Sequence, residues 1–247
     1  MGGRSETKVL FAELLDPGDA RRATEVIDAI LAHGLRCALT GGLAIDAQLG
    51  VRGRSVTARS LNDIDLVVSD FESIPTSLAE TFLLNHVHPF APEGKTLLQV
   101  IDQPRALRVD LFRAFGDTLS RAELLDEDTG GLPVLSIEDL VARTTAMVCG
   151  NLQRGTTIDF KHVAAFQRLR GLGEPRRLAI AWRDHQQEVH GTIEEAAEEA
   201  ARLLSVHPEL IVVERYSTLV TRCERCLDFG AFHVTPPHRI VEVLGYW

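Results

Sequence analysis

Residues 62–66 read Asn-Asp-Ile-Asp-Leu, so carboxylates occupy alternate positions at the start of a run over 63–69 that is rich in aliphatic and β-branched residues. Aliphatic and β-branched residues at that density predict a strand. Side chains at i and i+2 of a strand share a face. Asp63 and Asp65 therefore project together, while Ile64 and Leu66 point into a core. Two neighbouring carboxylates repel unless a cation lies between them, and a hard divalent ion such as Mg²⁺ prefers carboxylate oxygen. Asp110 repeats the pattern between Val109 and Leu111. If its strand neighbours the first, three carboxylates meet at one edge of a sheet. Surface strand ends also carry carboxylates, so the alternation alone leaves an ordinary solvated edge as the plainer reading.

About twenty residues upstream, a strand candidate over 35–40 runs into Gly41-Gly42, and residues 43–49 read as a short helix. Without Cβ atoms, the glycines let backbone approach a ligand closely. They stand where a helix begins, which is a natural anion site. A turn that needs positive φ explains them equally well. Residues 50–60 form a polar, Gly-containing loop that holds Arg59.

Elsewhere, residues 19–33 place Ala23, Val26, Ile27, Ile30 and Leu31 on one helical face, with Gly34 as the stop. Residues 76–85 are predicted helical with Thr76 as N-cap, and 96–101 and 106–113 read as paired strands. Pro133 marks a change of character. Ser136 caps a helix over 137–149, with Asp139 three residues on, and further helices are predicted over 159–170, 175–189 and 193–205. Thr192 and Glu195 make a capping-box pattern for the last. The expected class is α+β: a small mixed-sheet domain over 1–132, then a mainly helical domain over 133–247 that ends in a Cys/His segment.

The 26 Lys and Arg against 35 Asp and Glu give a formal charge of −9, and 45% of residues are apolar. That balance excludes disordered and low-complexity classes. It also counts against nucleic acid as a partner, since such binding neutralises phosphates with basic surface. The N-terminus has no signal-peptide pattern, no run is long enough to span a membrane, and four cysteines make no disulfide scaffold. A cytoplasmic protein with no membrane partner is expected.

Taken together, Gly41-Gly42, Asp63-Ile64-Asp65-Leu66 and Leu107–Phe112 (LRVDLF) resemble the nucleotidyltransferase superfamily with the DNA-polymerase-β-like fold. The stretch 40–66 is similar to the start of aminoglycoside and lincosamide adenylyltransferases. Residues 135–140 (LSIEDL) are similar to a helix start in those enzymes and in toxin-type nucleotidyltransferases. The resemblance implies that Asp63, Asp65 and Asp110 are catalytic and hold Mg²⁺. Gly41, Gly42 and Arg59 would bind a nucleoside triphosphate, ATP in the first place. It implies transfer of a nucleoside monophosphate to a hydroxyl of a small molecule, an antibiotic being one such acceptor. RNA or protein is the acceptor in the toxin-type reading, and a nucleotide-binding pseudoenzyme is the non-catalytic one. Relatives carry a Lys where Thr144 stands here; Arg143 and Lys161 are the candidates for that positive charge.

Cys223, Cys226, His233 and His238 follow a C-x2-C-x6-H-x4-H spacing. Each pair is spaced for zinc, though the gap of six is short against zinc-finger patterns. A structural Zn²⁺ site and two packed, reduced thiols are the alternatives.

Overall fold

The computed structural model describes residues 7–70, 73–87, 97–102, 104–125, 131–185 and 190–213. These residues divide into two compact units. One holds the chain up to Ala114 together with Ala122–Val134; the other holds Phe115–Arg121 and the chain from Leu135 onward. The α+β class holds, with a mixed five-stranded sheet in the first unit and a helical second unit.

The first unit opens with helices α1 (Thr7–Leu14) and α2 (Pro17–Ala32). Pro17 suits the first helical turn, where its missing N–H has no intrahelical partner to lose. On α2, Ala23, Val26, Ile27 and Ile30 are fully buried, as the 3.6-residue period predicts, whereas Leu31 is only half-buried. Gly34, at φ +84°, takes the left-handed position after the helix. Strand β1 (Cys37–Thr40) leads directly into α3 (Gly41–Gly50). The glycine pair is therefore the first turn of that helix, not a turn ahead of it.

Strand β2 (Asp63–Val68) follows the loop. The sheet has the order β1-β2-β5-β4-β3, completed by β3 (Leu83–Val87), β4 (Leu97–Asp102) and β5 (Leu107–Arg113). The β2–β5 pairing is parallel and the others are antiparallel. Ile64, Leu66, Val109 and Leu111 are fully buried on one face and fix the register. A slip of one residue would bring the carboxylates of β2 and β5 into that core.

The helix expected over 76–85 is a correction. Only Leu78–Thr81 (α4) is helical, Phe82 turns extended, and Leu83–Val87 joins the sheet beside β4. Leu84 is fully buried in that strand, so packing on the sheet overrides local helix propensity.

The second unit is built on α5 (Ile137–Gln153), which packs against α6 (Phe160–Leu169), α7 (Pro175–His185) and α8 (Ile193–Val206). Ser136 caps α5 by accepting from the Asp139 N–H, and Thr192 and Glu195 form the capping box of α8. Both caps match their sequence patterns. A two-stranded sheet of β6 (Ile158–Asp159) and β7 (Ile211–Val212), which the sequence did not suggest, completes the unit. Asp139 anchors the 115–121 segment here. Its carboxylate receives two hydrogen bonds from Arg121, at 3.0 and 2.7 Å, and Arg121 also reaches Asp184 at 2.6 Å. Among the described residues, no helix is long and apolar enough to cross a membrane.

Candidate active site

The parallel register sets Asp65 directly opposite Asp110, and Asp63 opposite Arg108. Opposed residues on neighbouring strands share a face. The row that holds Asp65 and Asp110 extends further, with Thr40 opposite Asp65 and Gln99 opposite Asp110. Four adjacent strands thus contribute one line of polar side chains. Thr40, Gln99 and Asp110 in that line are buried, and Asp65 is half-buried.

The expected convergence is present. Carboxylate oxygens of Asp63, Asp65 and Asp110 lie within 4.8 Å of one another. Burial pushes the Asp110 carboxyl up to about 7. Arg108 opposes that rise, Asp65 and Asp63 add to it by repulsion, and a hydrogen bond from Gln99 opposes it. Asp110 Oδ1 is buried without a hydrogen-bond partner. An oxygen-only donor set with repelling charges and an orphaned buried acceptor fits a hard divalent cation.

The N-terminus of α3 adjoins these carboxylates. Gly41 has φ +68°, and a Cβ there would lie 2.0 Å from Asp65 Oδ2. The glycine is therefore required twice, by its backbone conformation and by the close approach of the carboxylate. A Cβ on Gly42 would meet Arg59 Nη2 at 2.7 Å. Arg59 thus lies over the first turn of α3. Its Nε is 3.2 Å from the buried carboxylate of Asp46 on α3. Its main chain bonds back to Leu14 and Asp16 at the α1–α2 junction.

Arg143 and Lys161 stand on α5 and α6 and belong to the second unit, whereas the carboxylates and glycines belong to the first. Arg143 is half-buried and Lys161 is exposed, its own N–H bonded to the capping Asp159. Cys223, Cys226, His233 and His238 lie outside the described residues. Cys37 and Cys149 are free and buried, and burial pushes their thiols up to about 12 and about 11.

Two members of the site were missed in the sequence. Gln99 lies in an apolar strand with no motif, so only register brings it to Asp110. Arg108 was legible in principle, since it stands two residues before Asp110 and must share its face. Its Nη2 donates to Asp63 Oδ2 at 2.6 Å, and its Nε lies 2.9 Å from Asp110 Oδ1.

No protein-family model matches the chain, and no curated protein matches it. Among solved structures it is similar to a Helicobacter pylori protein provisionally assigned as a nucleotidyltransferase, at 12% identity and a TM-score of 0.31, over 79% of this chain and 97% of that one. It is similar also to JHP933 from Helicobacter pylori, at 12% identity and a TM-score of 0.30, over 79% and 94% of the two chains. At that distance neither likeness bears on function.

Proposed function

We propose that the protein is a Mg²⁺-dependent nucleotidyltransferase that moves a nucleoside monophosphate, AMP from ATP in the first place, onto a hydroxyl of a small molecule. The observation that carries this reading is the convergence of Asp63, Asp65 and Asp110 beside the N-terminus of α3. A cluster of carboxylates adjoins a helix N-terminus there. A triphosphate with its divalent cation is a ligand that satisfies both at once.

The residues divide the work by their chemistry. Asp63, Asp65 and Asp110 would hold Mg²⁺, which when bound polarises the phosphate and neutralises the charge that develops on the leaving pyrophosphate. The first-turn N–H groups of α3, at Gly41 and Gly42, would receive the phosphate oxygens, because they have no intrahelical acceptor. Arg59, held by Asp46, would add a fixed cation beside them. Asp110, the most buried of the three carboxylates, is the candidate to take the proton from the acceptor hydroxyl. Positioning and electrostatics then supply most of the rate. Asp46 supports Arg59 and has no chemical step of its own.

The formal charge of −9 favours a neutral or cationic acceptor over a polyanion such as RNA. The presence of Arg108 within the acidic cluster favours a second reading, a nucleotide-binding protein without transfer activity. One experiment separates these readings. Triphosphate binding is measured by calorimetry with Mg²⁺, and pyrophosphate release is then followed over a panel of aminoglycosides, lincosamides, RNA and proteins. Release with a small hydroxylic acceptor supports the proposal. Binding without release over the whole panel supports the non-catalytic reading, and no triphosphate binding rejects both.

A further inference from the structure

The acidic cluster contains its own cation. Arg108 spans two of the three carboxylates, with Nη2 on Asp63 at 2.6 Å and Nε 2.9 Å from Asp110 Oδ1. Its side chain is only 18% exposed. The two contacts differ in quality. The bond to Asp63 is well formed, but Arg108 Nε and Asp110 Oδ1 are both buried without a hydrogen-bond partner, so their approach is Coulombic and out of line for a hydrogen bond. A well-matched guanidinium–carboxylate pair makes two parallel N–H···O bonds. Here the guanidinium is stretched between two acids and fully satisfies only one.

We infer that Arg108 is an internal counter-ion that competes with the divalent cation for Asp63 and Asp110 and so sets the metal concentration at which the site loads. This rests on the metal-site reading above. A carboxylate oxygen that faces a guanidinium at this range cannot use the same lone pair for a metal ion. Loading therefore requires Arg108 to withdraw from Asp110, where its hold is weaker. Without Arg108, Asp63 and Asp110 would lose the guanidinium that lies between them and would repel each other more strongly. The metal-free protein would lose stability, and the site would bind a divalent ion more tightly. With it, the metal-free fold is secured and metal affinity is held down.

The test is Mn²⁺ binding in the absence of nucleotide, read by electron paramagnetic resonance, with thermal melts recorded with and without Mn²⁺. The wild-type protein is compared with Arg108→Met, Arg108→Lys and Asp65→Asn. Arg108→Met is expected to bind Mn²⁺ at least about tenfold more tightly, a difference of about 1.4 kcal/mol. It should melt lower than wild type without Mn²⁺ and gain more on its addition. Should Arg108→Met fail to fold, Arg108→Lys decides, with several-fold tighter binding expected because a lysine cannot bridge both acids. If the arginine variants bind Mn²⁺ no more tightly than wild type while Asp65→Asn abolishes binding, the counter-ion role is overturned and the metal site stands. If neither wild type nor any arginine variant binds Mn²⁺ at millimolar concentration, both fail.

Discussion

Asp65 and Asp110 face each other across the parallel register of β2 and β5, in a line that begins at Thr40 and continues to Gln99. Apolar burial on the opposite face fixes that register, so the same packing that stabilises the sheet places the acids together.

The first prediction concerns Asp65. It is half-buried at the site, and its removal leaves the apolar face of β2 untouched. Asp65→Asn should lower pyrophosphate release by at least about 10²-fold, in the range seen when one electrostatic group of a transition state is lost. Its circular dichroism should match wild type. A variant with full transfer activity would remove Asp65 from the chemistry.

Asp110 gives a pH-dependent outcome. Its folded value of about 7 lies above the ordinary 3.8, chiefly through burial, so the folded protein keeps a proton that the unfolded chain releases. The contribution of this group to stability is therefore present below about pH 4 and falls as pH rises to 7. Asp110→Asn removes the titration. With divalent ions chelated, it should melt higher than wild type at pH 8, and the gap should close towards pH 4. Thermal scans across that range check it; a wild-type protein that is the more stable at pH 8 would contradict it.

Gly41 and Gly42 should respond differently to alanine. Gly41→Ala meets a left-handed φ, about 1–2 kcal/mol, and a collision with the Asp65 carboxylate. Loss of stability together with loss of transfer is expected. Gly42→Ala meets only the movable end of Arg59, so it should fold nearly as well and chiefly raise KM for the triphosphate. Denaturant melts and steady-state kinetics on both variants separate the two effects.

Asp46 and Arg59 should act as one unit. Asp46→Ala leaves Arg59 without its buried anchor, and KM for the triphosphate should rise several-fold with kcat little changed. Arg59→Ala should do the same, and the double variant should be no worse than Arg59→Ala alone. Additive effects in that cycle would mean that the two residues act separately.

The helical unit has its own acid sensitivity. Burial alone would raise the Asp139 carboxyl, but hydrogen bonds from His185, Arg121 and Ser136 outweigh it and hold it at about 2. That depression contributes about 2 kcal/mol. The stabilisation is fully present above pH 4 and is lost as pH falls through 2. Asp139→Ala leaves Arg121 paired with Asp184 alone and should cost about 2 kcal/mol at pH 7, the stabilisation that the depressed carboxyl carries. Urea melts at pH 7 and pH 2 would show this, with the gap between variant and wild type narrowing in acid.

Local patterns were readable in the sequence where a residue's own neighbours decide its state. The period of α2, the caps at Ser136 and Thr192, and the alternation of Asp63 and Asp65 all depend on spacing along the chain. Residues 83–87 (LLNHV) were not readable this way, because two leucines followed by Asn85 and His86 fix neither period, and pairing with β4 decides their state. Gln99 was hidden for the same reason, since its role exists only opposite Asp110. Arg108 stands at i−2 from Asp110, so the alternation of a strand already sets the two on one face.

The sequence by itself determined which side chains could share a face, where helices start, and that three carboxylates interrupt apolar strands. Those are consequences of backbone periodicity and capping, which act over a few residues. Tertiary structure decided that β2 and β5 are parallel neighbours, that Gly41 lies against Asp65, and that Arg108 stands between Asp63 and Asp110. Strand order and register come from burying Ile64, Leu66, Val109 and Leu111 together, a long-range choice that no short window of sequence contains.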